Sequence, residues 1–251
     1  MNKFIVAIAM TSIAGICSPL MAEAAESANV ATKNNAATQY FLDHIAGNLE
    51  LTNNYAFRGL SQTKEEPAVQ GGLAFTFDSK IYLSVWGSNV NFMSLAGQQV
   101  TLETDETIGY ANTIKDFNYD LHLVRYAYPR ASTASYNEVI GSLGYKFLTF
   151  LMGYSSNVFN SHGSGTYSNL NAHFDIPAKY AYFNNVTLSG GVGHYNLNPA
   201  AGTSYDDYNI QIAKGIGDKN QYVISFQWVD TNHKNPPYDN NQYIGTLTAN
   251  F

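Results

Sequence analysis

The feature that most constrains this chain is a two-residue hydrophobic period that recurs in segment after segment from Asn48 to the last residue. Successive side chains of a strand point to opposite faces, so such a period writes one apolar and one polar face into every segment. The apolar sets are Leu49/Leu51/Tyr55/Phe57, Val69/Leu73/Phe75/Phe77, Ile81/Leu83/Val85, Leu102/Ile108/Tyr110, Phe117/Tyr119/Leu121/Leu123 and Val139/Leu143/Tyr145. They continue with a strand near 148–156, Leu170/Ala172/Phe174/Ile176, Val186/Leu188/Val192, Ile210/Ile212, Tyr222/Ile224/Phe226/Trp228 and Tyr243/Leu247/Ala249/Phe251. Twelve strands at about 19 residues per strand and connection are spaced more widely than in a sandwich and as expected of a membrane barrel.

The connections alternate in length. Ser61–Pro67, Met93–Gln98, Pro129–Ser135, Asn157–Thr166, Leu197–Asp206 and Thr231–Asn240 are long and polar, whereas Ser79–Lys80, Asn112–Asp116, Lys146–Leu148, Pro177–Tyr180 and Gly217–Asn220 are short. A soluble barrel has no reason to sort its loops to one end, and an outer-membrane barrel does, with short periplasmic turns and longer external loops. The fold class expected is therefore all-β: a transmembrane, antiparallel, up-and-down barrel of about 12 strands with both termini periplasmic. Aromatics on the apolar face beside the short turns, such as Tyr110, Phe117, Tyr119, Tyr145, Phe147, Tyr222 and Phe251, suit an interfacial girdle. Outside the first residues no apolar run reaches the length of a spanning helix. A charge of -6 and a pI near 5.4 argue against nucleic acid as a partner.

Residues 1–24 have the form of a signal peptide, with Met1-Asn2-Lys3, an uncharged run from Phe4 to Met21, and Ala22-Glu23-Ala24 as the cleavage site. The one cysteine, Cys17, falls inside it, which leaves the exported chain without a disulfide, a thiol metal site or a cysteine nucleophile. Residues 25–46 read as an N-terminal periplasmic tail, mobile through Ala37 and with Tyr40–Ile45 apolar enough to dock. Residues 47–251 form the barrel.

On the polar face the charges are Glu50, Asp78, Glu103, Asp105, Asp120, Glu138, Asp175 and Asp207 against Arg58 and Lys146. A lumen lined in this way raises local cation concentration and repels anions. Arg58, Glu103, Asp105, Asp120 and Glu138 are thus the candidate pore-lining residues for selectivity. The competing reading has the same carboxylates pairing with Arg58 and with tyrosine and serine hydroxyls to brace a nearly closed barrel. Glu106 and Arg125 fall at lipid-facing parity, and a bulge near Leu123-Val124 would turn Arg125 inward and Tyr126 and Tyr128 outward.

The last strand alternates to a terminal Phe251 and looks like the signal by which outer-membrane barrels are recognised for assembly. Tyr55–Gln62 running into Glu66–Gly72, together with Val85–Phe92, resemble the TorF-type porin family. That resemblance implies a signal-bearing outer-membrane barrel of Gram-negative bacteria that forms a pore, and it supplies no catalytic residues. The partners expected are outer-membrane lipids and lipopolysaccharide, the barrel assembly machinery through Phe251, and small solutes.

The function expected is passive diffusion of small hydrophilic solutes with a lean toward cations, without an enzyme activity, cofactor or metal. The alternatives are an electrically closed structural barrel and a lipase-type hydrolase. The hydrolase would use Ser168 and His194, which share outward parity, but the sequence places no acid to orient the histidine. His122, His173 and His233 lack the spacing of a metal site. Asp206-Asp207, Asp230 and Asp239 read as solvated loop acids, and the loops are short for an adhesin.

Overall fold

The computed structural model describes residues 36–177, 184–217, 220–233 and 241–251. The expected signal, residues 25–35 of the tail and parts of three connections lie outside the described residues. Helix α1 (Ala36–His44) leads into β1 (Ile45–Thr52), which is followed by a small hairpin of β2 (Ala56–Phe57) and β3 (Leu60–Ser61). Then come β4 (Ala68–Thr76), β5 (Ile81–Met93), β6 (Gln99–Ile114), β7 (Phe117–Ala127), β8 (Tyr136–Tyr145) and β9 (Leu148–Ser155). The chain ends with β10 (Gly165–Asp175), β11 (Val186–Leu197), β12 (Tyr205–Ile216), β13 (Tyr222–Thr231) and β14 (Gln242–Asn250).

β1 and β4 to β14 make one closed antiparallel barrel, each strand hydrogen-bonded to its neighbour in sequence and β14 returning to β1. Closure satisfies every ladder edge, which matters most where no water can do so. The chain enters and leaves at the same end: the Gly47 and Phe251 backbones exchange N–H···O bonds of 2.8 and 3.0 Å. At that end α1 lays the rings of Tyr40, Phe41 and His44 against Phe75.

The alternation places Leu, Ile and Val outward. Leu49, Val69, Ile108, Leu123 and Ile210 are each about half exposed or more. Outward aromatics gather at both ends of this aliphatic surface. Phe75, Phe77, Tyr110, Phe117, Tyr145, Phe147, Phe174 and Tyr222 lie toward the short turns, and Tyr154, Tyr208, Trp228 and Tyr243 toward the other end. Inward positions are filled by Gln70, Ser88, Asn169, Gln211, Gln227 and Gln242, all buried, and by the carboxylates described below. The outside is oily, and the inside combines these polar side chains with a buried cluster of tyrosines and small aliphatic residues.

Three expectations are corrected. Tyr55 and Phe57 are not outward residues of a long first strand: β1 ends at Thr52, and the chain turns into the lumen as the β2–β3 hairpin, where both rings are buried. Arg58 and Gly59, at φ 50° and 85°, form its two-residue loop, the mirror-image turn that matches strand twist. Second, the β6–β7 ladder runs unbroken from Thr104↔Ala127 to Ile114↔Phe117, so there is no bulge at Leu123-Val124. Arg125 therefore faces outward opposite Glu106, 4.0 Å away, and Tyr126 and Tyr128 face inward and are buried. The irregularity lies instead between Asn89 and Phe92 of β5. Third, Asp78 and Lys146 sit in the turns after β4 and β8; Asp78 Oδ1 accepts from His44 Nε2 at 3.0 Å. The short connection expected at Pro177–Tyr180 lies, apart from Pro177, outside the described residues.

Candidate functional site

All five candidate pore-lining residues are inside the barrel and buried: Arg58, Glu103, Asp105, Asp120 and Glu138. Four are carried inward by strand parity on β6, β7 and β8. The fifth, Arg58, arrives from the tip of the hairpin. The hairpin is pinned by Asn54, whose side-chain amide donates to Gln242 Oε1 at 2.7 Å, and by Gln242, which donates to the Gly59 carbonyl at 2.7 Å. The backbone N–H of Asn91 on β5 donates to the Gln62 carbonyl at 2.7 Å.

Arg58 Nη2 donates to Glu138 Oε2 at 2.7 Å, with both side chains essentially inaccessible. Its guanidinium also lies over three rings, 4.3 Å from the centroid of Tyr167, 4.6 Å from Phe57 and 4.7 Å from Tyr195. A planar, weakly hydrated cation suits such a cage. Tyr126 donates its hydroxyl to the same Glu138 oxygen at 3.1 Å. Space for Glu138 is made by Gly153 on the neighbouring strand, where a Cβ would stand 2.7 Å from Glu138 Oε1.

The remaining acids divide into two groups. Toward the short-turn end Asp120 accepts a bond from the Tyr82 hydroxyl at 2.9 Å and is paired with the His122 ring. Nearer the hairpin, Glu103 and Asp105 project side by side from β6. Glu103 accepts from the Tyr128 hydroxyl at 3.2 Å, whereas neither oxygen of Asp105 has a hydrogen-bond partner, nor does Glu103 Oε2. Glu50 and Asp207 are inward as well, accepting from Asn48 at 2.7 Å and from Tyr167 at 3.2 Å. Asp206 and Asp207 are strand residues on opposite faces of β12, so they are not loop acids sharing a cation. Asp239 lies outside the described residues. Among the described residues no three of His, Cys, Asp and Glu gather as a metal site.

Sequence reasoning missed the inward tyrosines. Tyr126, Tyr128, Tyr136, Tyr167, Tyr195 and Tyr205 are all buried around the acids, and those of β10 to β12 were readable from parity alone. It also missed an acid for His194. Asp206 lies opposite it on β12, its Oδ1 2.6 Å from His194 Nδ1, and Ser168 lies opposite it on β10. Ser168 itself makes no hydrogen bond with the histidine among the described contacts, so the nucleophile–base link that acyl transfer requires is missing.

A family model described as "Bacterial protein of unknown function (Gcw_chp)" matches residues 35–250. No curated protein sequence matches. Among solved structures, the chain is similar to the KdgM porin, with 11% identity, a TM-score of 0.47, and 82% of this chain and 97% of that one covered. It is also similar to Pseudomonas aeruginosa OpdK, crystallised with vanillate, with 12% identity, a TM-score of 0.41 and 74% of this chain covered. Acinetobacter baumannii OccAB3 follows with 10% identity, a TM-score of 0.40 and 74% covered. The chain spans 57% of the length of OpdK and 55% of that of OccAB3.

Proposed function

The chain belongs to the Gcw_chp family of bacterial proteins, and from that premise we propose that it is an outer-membrane channel for the passive diffusion of small hydrophilic solutes, cations before anions. The observation that carries the reading is the inside-out distribution on a closed barrel: aliphatic side chains exposed between two sets of aromatics, and carboxylates within. In water such an exterior would aggregate; in a bilayer it is the surface that lipid requires. The outward Glu106–Arg125 pair fits this reading by its height. Eight residues separate Phe117 in the short-turn aromatics from Arg125, or about 20 Å along the barrel axis at ordinary tilt. That puts the pair about 5 Å inside the far edge of an apolar band about 25 Å tall, within snorkelling reach of the headgroups. The short turns and both chain ends then face the periplasm, Phe251 is the element offered to the assembly machinery, and lipopolysaccharide meets the far rim. The resemblance to TorF-type porins belongs to the same proposal.

The lumen acids outnumber Arg58, and three of the six described above, Glu50, Glu103 and Asp105, have no cation beside them among the described residues. A cation crossing the lumen meets favourable potential and an anion meets the reverse. No catalytic step is assigned.

A second reading, an electrically closed barrel, draws on the hairpin, whose rings and Arg58 occupy the lumen toward the long loops. Refolded protein in planar bilayers under a KCl gradient decides between them, with heat-modifiable gel migration reporting that the barrel has formed. Discrete conductance steps with a reversal potential on the cation side are expected. A folded barrel without current supports the closed reading and rejects the channel.

A further inference from the structure

We propose that α1 is an interfacial anchor, seated on the outer wall of the barrel beside the short turns, with Phe41 and Leu42 among the lipids of the leaflet there. The proposal goes beyond the channel reading and rests on its membrane placement.

Phe75 shows which wall α1 occupies. It shares the outward face of β4 with Val69, Leu73 and Phe77, all exposed, whereas Ala74 beside it is buried inside. The rings of Tyr40, Phe41 and His44 have centroids 6.3, 5.6 and 5.9 Å from that of Phe75, so the helix is seated on the outside of the barrel. His44 fastens the seat through Asp78 in the β4–β5 turn, at 3.0 Å. The chain passes from His44 straight into β1, whose first residue, Ile45, pairs with Phe75, so no linker separates helix and wall.

Helical geometry sorts the remaining side chains. At about 100° per residue, with Tyr40, Phe41 and His44 toward the wall, Leu42 falls on one flank and Gln39 and Asp43 fall on the other. The second flank is polar and paired, Gln39 Nε2 donating to Asp43 Oδ1 at 2.7 Å. The first continues the apolar arc beyond the seat: Phe41 is 50% and Leu42 44% exposed. One flank for water and one for hydrocarbon is the arrangement of a helix lying in the plane of an interface. Continuity identifies the occupant. Leu73, Phe75 and Phe77 belong to the apolar exterior of the barrel, and the medium that covers that exterior also meets Leu42 beside it.

The one cysteine is Cys17, so single cysteines in a Cys17→Ala background can each carry a nitroxide. Leu42→Cys, Gln39→Cys and, as a reference on the outward face of β1, Leu49→Cys are refolded as the full chain into phosphatidylcholine vesicles, with heat-modifiable migration as the check on folding. Power saturation compares collisions with oxygen, which concentrates in lipid, and with a neutral nickel chelate, which stays in water. Oxygen collisions are expected to dominate at 42 and 49, and nickel collisions at 39. Phe75→Ala is expected to shift the label at 42 toward the value at 39 and to leave the label at 49 unchanged. A label at 42 that matches 39, while 49 lies in lipid, overturns the anchor and leaves the membrane reading intact. A label at 49 in water overturns both. A label at 42 that Phe75→Ala does not move overturns the seating on this wall.

Discussion

Replacing Glu138 with Gln tests whether the hairpin is held in the lumen by one buried ion pair. In the native protein Arg58 and Glu138 meet at 2.7 Å with both side chains inaccessible, and the substitution leaves the guanidinium charge with three ring faces and a neutral acceptor. Removing one partner of such a pair costs about 3–5 kcal/mol, and the retained contacts keep the loss near the lower end, about 3 kcal/mol. The twelve-strand ladder does not include β2 or β3, so the cost falls on hairpin docking as a local opening. At about 1.4 kcal/mol per tenfold, the undocked population rises about 100-fold. Ala56, buried against Val229 and Ile244, reports it: Ala56→Cys in a Cys17→Ala background reacts with a soluble, charged maleimide when the hairpin lifts. Labelling about 100-fold faster in Glu138→Gln, with unchanged heat-modifiable migration, is the expected result. A rate within about threefold of the parent would refute the argument that this pair holds the hairpin.

The other outcomes are read in simpler assays. Glu103→Lys with Asp105→Lys moves the bilayer reversal potential toward the anion side if these acids line the ion path, and an unmoved potential rejects that role. Gly59→Ala places a Cβ 2.8 Å from that of Asp207 at φ 85°, so it loosens the hairpin by about 1–3 kcal/mol and speeds the same maleimide labelling; an unchanged rate contradicts the strain. The hydrogen bond to Asp78, and after it the one to the Tyr40 carbonyl, raise His44 above its ordinary value. Folding therefore favours its protonated form, and the contribution to docking α1 is complete below about pH 6.5 and lost as pH rises through the raised value. Amide protection of residues 36–44, corrected for intrinsic exchange, falls between pH 6 and 8.5, and Asp78→Asn removes that dependence. The refolded barrel does not hydrolyse phospholipid esters, because Ser168 lacks its bond to His194; an esterase activity abolished by His194→Ala would reverse that reading.

The barrel was legible because its signal is redundant: twelve segments repeat one period, and an error in one leaves the closure and strand count intact. The site was legible only where it depends on parity, as at Glu103, Asp105, Asp120 and Glu138. Arg58 reached the lumen by another route. Tyr55 and Phe57 continue the alternation of Leu49 and Leu51, so nothing in the period marks the turn after Thr52, and the left-handed Arg58-Gly59 loop was the only local cue. The supposed bulge failed for an instructive reason. Charge on the outer face was assumed to be intolerable at any height, whereas Arg125 and Glu106 face each other across adjacent strands toward the rim. Asp206 escaped notice because register, which places it opposite His194, is a property of two strands and is written in neither.

What separates a channel from a braced, closed barrel is the chemistry chosen for the inner wall. A barrel that only had to fill its interior has a cheaper solution in uncharged amides and hydroxyls, which satisfy one another without desolvating a charge. Much of this lumen follows it: Gln70, Asn169, Gln227 and Gln242 are all buried there. The wall of β6 to β8 departs from it, with Glu103, Asp105, Asp120 and Glu138 clustered where one hairpin arginine neutralises one of them. Bracing accounts for Glu138, which holds the hairpin, and for Asp120, bonded to Tyr82 and paired with His122. It does not account for Asp105, whose oxygens brace nothing. A charge kept without a structural partner is explained by a transient one, which is the argument for a lumen that cations enter.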